Sequence, residues 1–278
     1  MHMKINAIQL VIGLAAAVVI ALAAYRARSL SRSGALAAAV LGTVVFGLGG
    51  LGWAVLLVGF FVSSSGLSRF AGRRKEALNE KFSKGSQRDY AQVAANGGIA
   101  GLFVILHVLF PQALWPWAGF AGALAAANAD TWATELGVLS RSAPRLITTG
   151  QRVERGTSGG ISAAGTLAAG SGALFIALLA VLFWPGGLLA LGWEQIAAAL
   201  AAVTLAGLAG SLVDSLLGAT LQAIYHCPAC GKETERHPLH LCGTPTTRLR
   251  GLSWLGNDWV NTLCTLSGAL AAALWFAI

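Results

Sequence analysis

Asp130 and Glu135 stand inside the apolar stretch Asn128-Ala129-Asp130-Thr131-Trp132-Ala133-Thr134-Glu135-Leu136-Gly137. A basic loop follows, in which Arg141, Arg145, Arg152 and Arg155 lead into Gly156-Thr157-Ser158-Gly159-Gly160. Ionisable groups within membrane segments are costly and usually face a cavity or a functional site rather than lipid. Two more acids share this setting: Asp214 in Gly210-Ser211-Leu212-Val213-Asp214-Ser215-Leu216-Leu217-Gly218, and Asp258 in Asn257-Asp258-Trp259-Val260-Asn261. Hard carboxylate oxygens suit Mg²⁺, which keeps one or two protein carboxylates together with substrate phosphates. Glycines let the backbone approach an anion, and free N–H groups at a helix N-terminus complement its charge. The combination points to metal-assisted handling of phosphate groups. Asp130, Asp214 and Glu135 are the candidate catalytic acids, with Asp130, Asp214 and Asp258 as candidate Mg²⁺ ligands. The candidate nucleotide- and phosphate-binding set is Asn128, Thr134, Thr149, Arg152, Arg155, Gly156, Thr157, Ser158, Gly159, Gly160, Asn257 and Asn261.

Plainer readings compete at several of these positions. Glu135 lies five residues from Asp130, about 140° around a helix, so the two need not face one site; an ion pair with Arg141 or Arg145 is its structural alternative. Asp258 at a helix start could be a cap or a dipole partner. The glycine loop is neither a Walker A sequence nor a G-x-G-x-x-G fingerprint, and small residues also serve close helix packing. Asp130 and Asp214 are harder to explain structurally, because neither has a basic neighbour on its own helix.

The elements that must position these groups are membrane helices. Hydrophobic residues make up 56% of the 278 and charged residues only 11%, against about a quarter charged in a soluble domain. Charge-free runs at 5–25, 33–68, 90–129 and 156–193 reach or exceed the roughly 20 residues of a bilayer crossing. The first run is of full span length and lacks a signal-peptide cleavage pattern. Breaks at Gly47–Gly52 and at Pro111–Trp117 divide the longest runs. The expected spans are 6–26, 34–48, 51–68, 90–110, 117–138, 159–184, 194–223 and 257–277. Basic residues then fall in the odd connections, with none in the second, fourth or sixth; only Lys4 lies outside the alternation. The positive-inside rule predicts an all-α, polytopic bundle of eight transmembrane helices with both termini outside and the acid-rich end cytoplasmic. The net charge of +8 is orientation charge, and nucleic acid is not an expected partner.

The chain reads as one integral-membrane domain over 1–278, with a small knuckle-like loop at 226–250. Cys227-Pro228-Ala229-Cys230-Gly231-Lys232 is a C-x-x-C, followed by His237, His240 and Cys242. Cys227, Cys230 and Cys242 with one of His226, His237 or His240, His240 being the choice carried forward, could hold a structural zinc. Reduced or redox-active thiols are the alternative. Cys264 reads as a packing residue and His107 as structural or interfacial.

These segments, together with Phe60-Phe61-Val62-Ser63-Ser64-Ser65 and Gly156 to Ser162, resemble the integral-membrane family called domain of unknown function 92, which includes animal transmembrane protein 19 and plant phytyl-phosphate kinase. The ordered set covers essentially the whole chain. A looser similarity, through Asp130, Ala133 and Gly137, extends to CTP-dependent polyprenol kinases and CDP-diacylglycerol synthases, which carry a lysine-rich loop where this chain has arginines. The resemblance implies Mg²⁺-dependent transfer of the γ-phosphate of CTP or another nucleoside triphosphate to an isoprenoid monophosphate, such as phytyl phosphate, at the cytoplasmic face of the cell membrane. Its rivals are a cytidylyltransferase making a CDP-lipid and a transporter or flippase using the acids as ion sites.

Overall fold

A computed structural model describes residues 7–75, 82, 84, 87–140 and 142–277. Among the described residues, eight α-helices carry the fold: α1 Ala7–Arg26, α2 Arg32–Val44, α3 Leu51–Lys75, α4 Tyr90–Leu109, α5 Trp115–Gly137, α6 Ala163–Leu182, α7 Trp193–Thr220 and α8 Asn257–Trp275. A π-helical turn, Val45–Gly49, extends α2 until Gly50, at φ +84°, ends it. Side-chain caps account for several starts. Asp89 and Gln92 form a reciprocal capping box on α4, while Ser31 and Ser162 cap α2 and α6. Six helices, all but α5 and α8, are long and apolar enough to cross a membrane.

For α5 the exception is explained by packing. α5 runs through the centre of the bundle, against α3, α4, α6, α7 and α8, and every residue from Pro116 to Ala129 is buried. A helix enclosed by protein can carry polar groups that lipid would penalise. Small residues make the enclosure possible: a Cβ at Gly122 would lie 2.4 Å from the Gly268 carbonyl oxygen, so α5 and α8 touch along their backbones. The apolar interior is aromatic towards the other end of α5, where Trp53 packs on His107, Trp117 and Phe120.

Alternating helix direction gathers the first, third, fifth and seventh connections at one end. Ser29 pairs its backbone with Arg88, Arg69 donates to the Ala27 carbonyl, and Lys84 meets Asp258 across the start of α8. Two small antiparallel sheets add to the helices here. β1 (Arg145–Leu146) pairs with β2 (Gly160–Ile161); β3 (Ile224–Cys227) lies between β4 (Lys232–Thr234) and β5 (Thr247–Arg250). The sixth span therefore begins at Ala163 rather than 159, because Gly160 and Ile161 are extended and paired with Leu146 and Arg145. Arg141 and Lys81 of the basic alternation, and its exception Lys4, lie outside the described residues.

Candidate functional site

At the gathered end a cavity of about 600 Å³ opens between the C-terminal halves of α5 and α7 and the N-terminal turns of α4, α6 and α8. Asp130, Thr134 and Glu135 line it from α5, Asp214 from α7, and Asn257 and Asn261 from α8. Arg155 and the whole run from Gly156 to Gly160 form a further part of its wall. Asp130 and Glu135 thus share one space despite their angular separation, because the cavity is wide enough to span both faces of the last turns of α5.

Glycine is required in that wall. Gly156 and Gly159 adopt φ of +79° and +84°. A Cβ on Gly159 would come within 2.5 Å of the Ala219 backbone nitrogen, and one on Gly218 within 2.9 Å of the Gly159 nitrogen. The loop lies directly on the last turn of α7, so its shape and the placement of Asp214 are fixed together. The glycines are separated from the N-terminus of α6 by β2; Ser162, Gly165 and Thr166 present that helix start to the cavity instead.

The acids cluster without being equivalent. Asp214 lies within electrostatic reach of Asp130 and of Glu235, and its Oδ2 is buried without a hydrogen-bond partner. Glu135 accepts a hydrogen bond from Ser68 at 2.9 Å and faces Arg88. Arg88 is wedged over the rings of Phe60 and Phe61. Burial lowers its guanidinium to about 10 against the opposing effect of Glu135, so it stays cationic at neutral pH. Asp214 Oδ2, buried and without a hydrogen-bond partner beside other acids, is a hard oxygen donor of the kind Mg²⁺ takes, and Mg²⁺ fits the cluster by chemistry.

Four candidates sit elsewhere. Asn128 is wholly buried, accepting from Ser63 Oγ at 3.0 Å and donating to the Gly172 carbonyl at 2.8 Å. It ties α5 to α3 and α6 outside the lining of the cavity. Thr149 and Arg152 are exposed on the turn between β1 and β2. Asp258 forms an ion pair with Lys84 at 2.5 Å, and Lys84 also reaches Asp89 at 2.8 Å. Of the two partners suggested for Glu135, Arg141 lies outside the described residues and Arg145 donates to the Gly150 carbonyl.

The sequence reading missed Arg88, Lys84, Ser68 and Glu235. Arg88 and Lys84 were counted as orientation charge; the signal for Arg88 was its place directly before the α4 capping residue. Glu235 follows β4 and accepts from Ser158 Oγ and Gln222 Nε2, each at 2.9 Å. Its signal was an acid set between the two halves of the cysteine motif. In that motif the ligand atoms of Cys227, Cys230, His240 and Cys242 lie within 4.8 Å of one another, a group that could hold a metal such as zinc. His237 instead stacks on Tyr225 at 4.5 Å. Cys264 is buried in α8.

The model of the family described as integral membrane protein DUF92 matches residues 15–269. The chain belongs to the DUF92 family. Protein PGR of Arabidopsis thaliana is 33% identical over 269 residues, covering 89% of each chain. An uncharacterized membrane protein of Methanocaldococcus jannaschii is 36% identical over 204 residues, 73% of this chain and 79% of the relative. A third DUF92 relative, an uncharacterized membrane protein of Synechocystis, is 33% identical over 186 residues, 66% of this chain and 68% of its own. No solved structure matches. The DUF92 match shows a multi-pass integral membrane protein embedded in a lipid bilayer.

Proposed function

We propose that the cavity is the active site of a Mg²⁺-dependent phosphotransferase that moves the γ-phosphate of a nucleoside triphosphate onto an isoprenoid monophosphate. The observation that carries this reading is the convergence of Asp130 and Asp214 with Arg155 and the Gly156–Gly160 backbone on one cavity. About 600 Å³ falls in the range of small-molecule sites, large enough for a nucleotide's phosphates and a lipid headgroup. Asp130 and Asp214 would hold Mg²⁺, which when bound neutralises charge on the phosphates. Arg155 and the loop amides would bind the transferring group, while Arg88 and Lys84 add positive charge on the α4 side. The acceptor is a phosphate monoester, ionised at neutral pH, so one of its oxygens attacks the γ-phosphorus without a protein base. The bond to the β-phosphate oxygen breaks, and the nucleoside diphosphate leaves.

All eight helices would span the bilayer with both termini outside, and the basic end that carries the cavity would face the cytoplasm of the cell membrane. The isoprenoid tail would lie along the apolar helix surfaces next to the opening. An ion-transport reading fits less well, since midplane acids and broken helices are its hallmarks and these acids gather at one end.

The test is mass spectrometry of products after purified protein is incubated with Mg²⁺, each nucleotide and a panel of prenyl phosphates. Prenyl diphosphate and nucleoside diphosphate are expected. Pyrophosphate and a CDP-lipid would assign a cytidylyltransferase instead, and an Asp130→Asn variant with normal turnover would refute the site.

A further inference from the structure

We propose that Cys227, Cys230, His240 and Cys242 bind a zinc ion that fixes Glu235 in the cavity wall, and that Glu235 joins Asp130 and Asp214 around the divalent cation. The second half rests on the phosphotransferase reading of that cavity; the first stands on the cysteine motif alone.

The four ligands meet the geometry of tetrahedral zinc. With Zn–S of about 2.3 Å and Zn–N of about 2.0–2.1 Å, the edges of the tetrahedron are about 3.8 Å between sulfurs and about 3.6 Å between sulfur and nitrogen. Cys227 Sγ to Cys242 Sγ is 3.6 Å, Cys230 Sγ to His240 Nδ1 is 3.5 Å, and His240 Nδ1 to Cys242 Sγ is 3.3 Å. All three thiols are free rather than joined in a disulfide. Each half of the motif ends in a tight turn with glycine at positive φ. Gly231, at +64°, donates to the Cys227 carbonyl; Gly243, at +81°, donates to that of His240. Two such turns facing each other make a closed site, in which all four positions are filled by protein and the metal serves structure.

Glu235 lies in the segment 231–239 that joins the two turns, so a zinc held by both would clamp its ends. The rest of the small sheet anchors the segment to the bundle. Arg250 donates to the carbonyls of Gly218 and Ala219 at the end of α7, and Thr246 Oγ1 donates to the Arg236 carbonyl. From this platform Glu235 reaches Ser158 in the glycine loop and Gln222 just beyond α7. It lies within electrostatic reach of Asp214, whose Oδ2 is buried without a hydrogen-bond partner. The module therefore delivers an acid beside one of the carboxylate oxygens that the bundle buries without a hydrogen-bond partner.

The test uses the full chain in detergent, with zinc measured by elemental mass spectrometry and the divalent site probed by Mn²⁺ binding in electron paramagnetic resonance. One zinc per chain is expected in wild type and none in Cys230→Ser/Cys242→Ser. Glu235→Gln keeps both hydrogen-bond acceptances; it should retain zinc yet bind Mn²⁺ about tenfold or more weakly. Stripping zinc from wild type with a chelator should weaken Mn²⁺ binding comparably, and zinc re-addition should restore it, which separates the effect from misfolding of the cysteine variant. Zinc content equal in wild type and the double variant would overturn the zinc site. Unchanged Mn²⁺ affinity in Glu235→Gln or after stripping would overturn the coupling. None of these readouts involves nucleotide turnover, so the absence of a prenyl diphosphate product would refute the proposed reaction separately.

Discussion

Replacing Asn128 by alanine separates a helix clip from a ligand contact. The side chain makes two interhelical hydrogen bonds, with Ser63 Oγ at 3.0 Å and the Gly172 carbonyl at 2.8 Å. Interhelical hydrogen bonds in membrane proteins are worth about 0.6 kcal/mol on average and up to about 1.7. The two together give about 1–3 kcal/mol. The loss falls mostly on the Gly172 side, because Ser63 Oγ retains the Phe60 carbonyl as a partner. For a chain of this size that is a fall in Tm of about 2–10 °C, read in detergent by exposure of the buried Trp53 and Trp117. Asn128→Asp should be worse than alanine, since it sets a carboxylate against the Gly172 carbonyl in a dry site. Mn²⁺ and nucleotide affinities, measured well below the lowered Tm, should stay at wild-type values. A variant with wild-type Tm and lost nucleotide affinity would refute the clip and return Asn128 to the binding site.

Asp214→Asn should cut turnover at least about a hundredfold while leaving Tm unchanged or slightly raised, because it replaces a buried carboxyl set among other acids by a neutral amide; a large fall in Tm measured by calorimetry would instead make the residue structural. Gly159→Ala forces an L-residue to φ +84° and a Cβ to 2.5 Å from the Ala219 nitrogen, so the loop must shift by roughly 1 Å. About 1–2 kcal/mol of strain and up to a hundredfold loss of turnover should follow, and wild-type kinetics would show that the loop is not in contact with substrate. The Lys84 bridge should be bounded by pH. Asp89 is held below the usual carboxylate value by Lys84 and the Gln92 N–H against the effect of its partial burial; Lys84 is raised by Asp258 and Asp89 against its own. The stability difference between wild type and Lys84→Met, about 1 kcal/mol, should hold between about pH 5 and 9. It should fade as pH drops through the lowered Asp89 value and again above the raised Lys84 value. Chemical denaturation across pH checks this, and a difference that grows on acidification would contradict it.

Helix positions were legible because apolar length and breaks at Gly50 and Pro111–Trp117 are local signals. The expected and observed helices differ mainly at their ends. Membership of one cavity was partly legible, since positive charge marked the end at which Asp130, Asp214 and Asn257 had to meet. What separates Asn128 from Asp130 was not: both read as polar residues in an apolar helix, and only the arrangement of α3 and α6 around α5 shows that one is sealed and the other opens onto space. Glu235 was hidden for a different reason. It reaches the cavity through tertiary docking of the small sheet on α7, and neither periodicity nor spacing encodes that contact.

The enclosure of α5 bears on how the protein enters its membrane. A helix buried in protein from Pro116 to Ala129 is under little selection to be a good passenger for the insertion machinery, and α5, with Asn128, Asp130 and Glu135, is a poor one. It should lodge in the bilayer only when α4 or α6 is present to shield it, so assembly is ordered around the arrival of its neighbours. In a glycosylation-reporter insertion assay α5 alone should fail to integrate and the α4–α5 pair should succeed; equal insertion of the isolated helix would show that its polar face imposes no such order.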